Sequence, residues 1–114
     1  MKRIYVAGPY SADNIMQVLT NIRNGINAGA ELMAKGYAVF CPFLDFQFAL
    51  GPWGDALPKA SFQANSMAFV ECCHAMLVLG YSGGVEREID RAEALRIPVF
   101  THMADLEKWA NEAH

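Results

Sequence analysis

The sequence predicts an α/β protein built on a doubly wound parallel sheet of four to five strands flanked by helices. Four short runs are continuously apolar rather than alternating, as strands buried on both faces are. They are Arg3–Ala7, Tyr37–Cys41, Ala75–Leu79 and Ile97–Phe100. Helical periodicity separates these runs, and strands alternating with helices join by right-handed crossovers into a parallel sheet. Of the 114 residues, 54% are hydrophobic and only 18% charged, which fits a sheet covered on both faces, a sizeable subunit interface, or both.

The first strand leads into Gly8-Pro9-Tyr10-Ser11. A first helix is predicted from about Asn14 to Lys35, with Ile15, Leu19, Ile22, Ile26, Gly29 and Met33 on one face. Gly25 and Gly29 let that helix lie close against the sheet, and Gly36 is a natural stop. After the second strand comes an irregular stretch, Pro42 to Lys59, long for so compact a chain. Such ordered loops tend to be lids or binding loops. A second helix is predicted from near Ser61, as N-cap, to about Cys73, and a third from about Val85 to Arg96. A weak C-terminal helix carries Leu106 and Trp109. Repeats, linkers and low-complexity segments are absent, so residues 1–114 read as one flavodoxin- or Rossmann-like domain. In such folds ligands sit outside the carboxyl ends of the strands. Here those ends are Gly8-Pro9-Tyr10, Pro42-Phe43, Gly80-Tyr81-Ser82 and Thr101-His102.

Charge narrows the partners. The net charge is −3 with Lys and Arg scattered, so no basic stripe points to a nucleic-acid polymer. A single phosphate can still be held by backbone N–H groups, which net charge does not report. Cys41, Cys72 and Cys73 form an odd set without metal-ligand spacing and read as reduced, buried thiols. Neither a metal nor a cofactor is expected. The apolar run after Lys2 and Arg3 is too short for a signal peptide, and nothing approaches a membrane span. The expectation is a cytoplasmic protein with no membrane partner.

Glu88 is the most informative residue. At about 100° per residue, Val85, Ile89, Ala92 and Leu95 of the third helix fall in one arc, while Glu86, Arg87, Asp90, Arg91 and Glu93 fall outside it. Glu88 falls inside that apolar arc, in the first turn. A carboxylate facing a core is costly unless it is paired or used. The helix N-terminus would stabilise its anion, which suits a nucleophile; a carboxylate that only caps or pairs is the alternative. Ser82-Gly83-Gly84 precedes the helix, and its free N–H groups attract anions, although many glycine turns only reverse the chain. Gly8-Pro9-Tyr10-Ser11 occupies the place where α/β proteins often contact phosphate or ribose, without a dinucleotide fingerprint. Pro42 opens the lid, which carries Phe43, Phe46, Phe48 and Trp53. Trp53 is the aromatic expected to reach a ligand; for the others a satellite cluster or subunit contact is the simpler reading. Ser66 lies on the inward stripe of the second helix with Phe62, Phe69 and Cys73, and its hydroxyl by default bonds back to its own helix. His74, at the entrance of the third strand, reads as structural.

Together these segments resemble the nucleoside 2-deoxyribosyltransferase superfamily, which includes the 2'-deoxynucleoside 5'-phosphate N-hydrolases and short phage and bacterial members. The similarity runs through Lys2-Arg3-Ile4-Tyr5-Val6-Ala7-Gly8-Pro9-Tyr10-Ser11 and Gly36-Tyr37-Ala38-Val39-Phe40-Cys41-Pro42. It is strongest in Ser82-Gly83-Gly84-Val85-Glu86-Arg87-Glu88-Ile89-Asp90-Arg91-Ala92. The resemblance implies that Glu88 attacks the anomeric carbon of the sugar and that Tyr5 hydrogen-bonds its carboxylate. It further implies a glycosyl-enzyme and retention of configuration. Transferases of the superfamily tend to carry Asp where this chain has Ser82; the nucleotide hydrolases carry Ser there and bind a 5'-phosphate. Two positions depart from the pattern. The Asp that contacts or protonates the leaving base is Ser66 here, a poor general acid at neutral pH, which leaves Asp45 or Asp55 of the lid to substitute. The Asp at the start of the third strand is His74.

The expected activity is therefore cleavage of the N-glycosidic bond of a (deoxy)nucleoside 5'-monophosphate or nucleoside, by hydrolysis or base transfer, in a homo-oligomer. A ligand-binding module without turnover and an oligomeric structural subunit are the alternatives.

Overall fold

The computed structural model describes residues 1–112, without the side chains of residues 43 and 44, so Phe43, expected among the lid aromatics, lies outside the described residues. Four strands form one parallel sheet: β1 (Arg3–Ala7), β2 (Ala38–Phe40), β3 (Ala75–Val78) and β4 (Val99–Phe100), in the order β2-β1-β3-β4. Arg3 pairs with Ala38, Ile4 with Ala75 and Met76 with Val99. From β1 the chain steps out to β2, then returns across the sheet to β3 on the other flank of β1. The strand order thus reverses between β1 and β3, and a crevice opens at their carboxyl ends.

Alternate residues of a strand face opposite sides, and β1 uses both. Ile4 and Val6 pack with Leu32 and Leu106, beneath α1 (Ile15–Ala34) and α4 (Met103–Asn111). Tyr5 and Ala7 pack with Met76, Val70, Val85 and Ala92, beneath α2 (Lys59–Val70) and α3 (Gly83–Ala94). This double coverage explains why the strand runs are apolar throughout. The two edge strands are shorter than the apolar runs that contain them. Pro98 lacks an N–H, so its carbonyl accepts from Met76 while regular pairing begins one residue later.

Helix α1 is capped as its sequence dictates: Asn14 Oδ1 accepts from the Gln17 N–H at 2.9 Å, and Gly36 takes a φ of 94° just past the end. Its buried face is not the aliphatic stripe. Asn21, Gly25, Gly29 and Leu32 are buried, whereas Ile15, Leu19, Ile26 and Met33 are between 47% and 68% exposed. Small residues let the backbone approach the sheet; an ideal Cβ on Gly29 would lie 3.6 Å from Val39 Cγ1. Close approach of the backbone has outweighed burial of the larger side chains.

Helix α2 starts at Lys59 rather than near Ser61. Pro58 occupies the cap position with an extended backbone, and no side chain caps the helix. Ser61 lies in the first turn, its N–H donating to the Pro58 carbonyl. The helix ends at Val70, because the Cys72 and Cys73 amides turn back onto the Phe69 and Val70 carbonyls. Helix α3 begins two residues earlier than Val85, with Ser82 Oγ accepting from the Val85 N–H at 3.2 Å. The lid is two 3-10 stretches, Pro42–Leu50 and Gly54–Ala56. Gly54 is obligatory there, since a Cβ would run into the Ala49 carbonyl. His74 is structural: its Nδ1 accepts from the Arg3 N–H at 2.9 Å at the start of the sheet. Among the described residues, no helix is long and apolar enough to cross a membrane.

Candidate active site

A cleft of about 790 Å³ opens where β1 and β3 end. The turn after β1 contributes Gly8, Tyr10 and Ser11, and the lid contributes Pro42, Asp45 and Phe46. Helix α2 brings Ser66, and the start of α3 brings Ser82, Gly83, Gly84 and Glu88. Two close contacts hold the β1 turn in place. Asn21 Nδ2 donates to the Tyr10 carbonyl at 3.2 Å, and the Tyr10 ring stacks on Phe46 at 6.1 Å between centroids. Gly80 supports the same turn: a Cβ there would lie 2.9 Å from Pro9 Cδ. A smaller hollow of about 380 Å³ lies beside Glu93 and Ile97–Val99, away from the strand carboxyl ends.

Glu88 projects from the first turns of α3 toward the Tyr5 side chain. Its Oε2 atom and the Tyr5 hydroxyl are both buried, and neither has a partner of good hydrogen-bond geometry. Two unsatisfied buried polar groups side by side are unusual in a native fold and invite a functional explanation. Burial pushes the Glu88 carboxyl up to about 7; the Tyr5 hydroxyl and the Arg87 guanidinium pull it down, and Asp45 pushes it up. The stabilisation expected from the helix N-terminus is therefore outweighed by desolvation, and near neutral pH the carboxyl is poised between its two forms. Tyr5 is driven the other way from ionisation, first by burial and then by the negative charge of Glu88, so its hydroxyl stays a neutral donor. Asp45 is partly buried, and loss of solvent raises its carboxyl above the ordinary range.

The Tyr5 hydroxyl holds the Glu88 carboxyl down. Tyr5→Phe is therefore expected to push the titration of Glu88 further above its ordinary range, read in urea unfolding as a shift to higher pH of the point where stability is lost. An unmoved profile would mean that the hydroxyl does not act on Glu88.

Nine of the residues expected from sequence line the cleft: Gly8, Tyr10, Ser11, Pro42, Ser66, Ser82, Gly83, Gly84 and Glu88. Tyr5 sits behind that wall, fully buried, and Pro9 packs against Gly80. Trp53 is 77% exposed and outside the wall. The reason is the lid's 3-10 coiling, which sets Phe46 against the cleft instead. Asp55 is likewise exposed, whereas Asp45 lines the cleft.

Sequence reasoning passed over Lys59, Gln63 and Arg87, which also line it. Lys59 and Gln63 share a helical stripe with Ser66, a spacing that was open to inspection. Arg87 belongs to the outer arc of α3, yet its guanidinium folds back to within about 4 Å of where Gly83 and Gly84 would carry a Cβ. The site thus joins two carboxyls, a neutral phenol, and cations at its rim. Among the described residues, no group of three or more His, Cys, Asp and Glu side chains is placed to hold a metal.

Residues 2–102 match the model of one family, described as Domain of unknown function (DUF7768). No curated protein matches the chain.

Proposed function

Because the chain belongs to the DUF7768 family, whose description carries no chemistry, we propose its function from the cleft itself: cleavage of the N-glycosidic bond of a (deoxy)nucleoside 5'-monophosphate or nucleoside. The observation that carries this reading is the buried, unpartnered Glu88 oxygen beside a neutral tyrosine at the carboxyl end of the sheet. In its ionised form Glu88 attacks the anomeric carbon, and the bond between that carbon and the base nitrogen breaks, its electron pair leaving with the base. The positive charge that develops on the sugar favours the anion of a carboxyl otherwise kept near its midpoint by burial. The Tyr5 hydroxyl orients the attacking group and accompanies it through the transition state. Water then hydrolyses the glycosyl ester with net retention, or a second base takes the sugar.

Recognition of a 5'-phosphate falls to the start of α3. N–H groups at a helix start favour an anion, and the Arg87 guanidinium lies over the same glycine turn. A serine at position 82 brings no competing negative charge. Copies of the chain associate in this reading, since Ile15, Leu19, Ile26 and Met33 leave an aliphatic stripe open on α1.

A second reading, a binding module without turnover, draws on Ser66: the hydroxyl on that wall is too weak an acid to protonate a base. One experiment separates the two. The protein is incubated with a panel of nucleosides and their 5'-monophosphates, free base is followed by chromatography, and the melting temperature is recorded in parallel. Base release supports the glycosidase; stabilisation by a nucleotide without release supports the binding module; neither response defeats both.

A further inference from the structure

We propose that Asp45, on the lid wall of the cleft, is the general acid that protonates the departing base. The inference rests on the glycosidase reading and goes beyond it, because the residue expected in that role is a serine. The cleft places two carboxyls on different elements: Glu88 on α3 and Asp45 on the 3-10 stretch Pro42–Leu50. They are close enough for Asp45 to act electrostatically on both Glu88 and Tyr5. The position of Asp45 is held by its neighbour, since Phe46 stacks on Tyr10 across the mouth of the cleft. Loss of solvent raises both carboxyls, so a proton can be shared between them; the reacting form has it on Asp45 with the charge on Glu88, and the positive charge that develops on the sugar beside Glu88 selects that form.

Elimination points the same way. Of the ionisable groups lining the cleft, Lys59 and Arg87 are basic side chains, Tyr10 offers only a phenol, and Glu88 is taken by the attack. The Tyr5 hydroxyl is held far from ionisation and faces Glu88 behind the wall. Ser66 has a hydroxyl alone. Asp45 is the remaining carboxyl on the described wall.

The step balances. As the anomeric carbon–nitrogen bond breaks, its electron pair passes to the base, and the Asp45 carboxyl gives its proton to a base nitrogen. The Asp45 carboxylate then takes a proton from water as that water's oxygen displaces Glu88 from the sugar. Both carboxyls return to their starting forms, and the net change is hydrolysis.

The test compares wild type and Asp45→Asn on a purine deoxynucleoside 5'-monophosphate and on its N7-methylated counterpart, whose cationic base departs without being protonated. The variant is expected to lose about 100- to 10,000-fold in kcat on the unmethylated substrate and less than about tenfold on the methylated one. With the unmethylated substrate, the alkaline fall of the wild-type pH profile is expected to disappear from the variant's residual activity, and Asp45→Glu to restore part of it. The other titratable groups at the cleft (Tyr5, Tyr10, Lys59 and Arg87) are the same in both proteins. Turnover of the methylated substrate doubles as the folding control. Equal losses on both substrates, or on neither, overturn the assignment while the glycosidase reading stands. Failure of the wild type on both substrates instead removes the glycosidase reading.

Discussion

Glu88→Gln is expected to stop base release, by at least about 1,000-fold, while making the folded protein more stable above neutral pH. The amide keeps the size and shape of the carboxyl but has no anionic oxygen to bond to the anomeric carbon. The stability gain follows from linkage. Glu88 titrates at about 7 in the fold against an ordinary value of 4.5. A carboxyl raised in this way is protonated more readily in the folded state. Its contribution is fully present below 4.5 and is lost as pH rises through about 7. Solvent reaches part of this group, so the loss is on the order of 2 kcal/mol. The Gln variant has no proton to lose there. Its unfolding midpoint in urea should match wild type near pH 4 and exceed it near about pH 8. Equal stability at both pH values would mean that Glu88 is fully hydrated in solution, and undiminished base release would remove it from the chemistry.

The second large effect concerns the phosphate. Ser82→Asp is expected to weaken binding of 5'-monophosphates by about 10- to 100-fold through like-charge repulsion, while changing nucleoside affinity less than about threefold. The substitution is selective because of what Ser82 does in the fold. Its side-chain oxygen caps α3 by accepting from the Val85 N–H at 3.2 Å, and aspartate caps a helix as well as serine does. Stability therefore stays within about 0.5 kcal/mol of wild type, and the added charge is isolated as the cause. Calorimetric titration of matched phosphorylated and unphosphorylated ligands reads the difference. Equal changes for both would move the phosphate away from the start of α3.

How much of this was legible in the sequence depended on the kind of signal. The strands were visible because burial on both faces leaves uninterrupted apolar runs, and Ile4 through Ala7 are indeed fully buried. Glu88 was visible because a charge broke an otherwise apolar helical arc. The orientation of α1 was legible in part: Gly25 and Gly29 announced the close approach to the sheet, while the aliphatic stripe through Ile15, Leu19, Ile26 and Met33 did not say that it would stay exposed. The lid was harder still. Nothing in the spacing of its aromatics says that 3-10 coiling sets Phe46 against the cleft and leaves Trp53 in solvent. Asp45 and Asp55 were equivalent until the backbone separated them. Arg87 shows the limit of helical wheels, because a long side chain on the outer arc can fold back over a glycine turn.

The most direct measurement is peptide mass mapping of the protein quenched during turnover of a deoxynucleoside 5'-monophosphate. A sugar phosphate ester-linked to the peptide containing Glu88 is the expected result. Base released with no sugar on the protein at any quench time, or sugar attached to the Asp45 peptide instead, would contradict nucleophilic attack by Glu88.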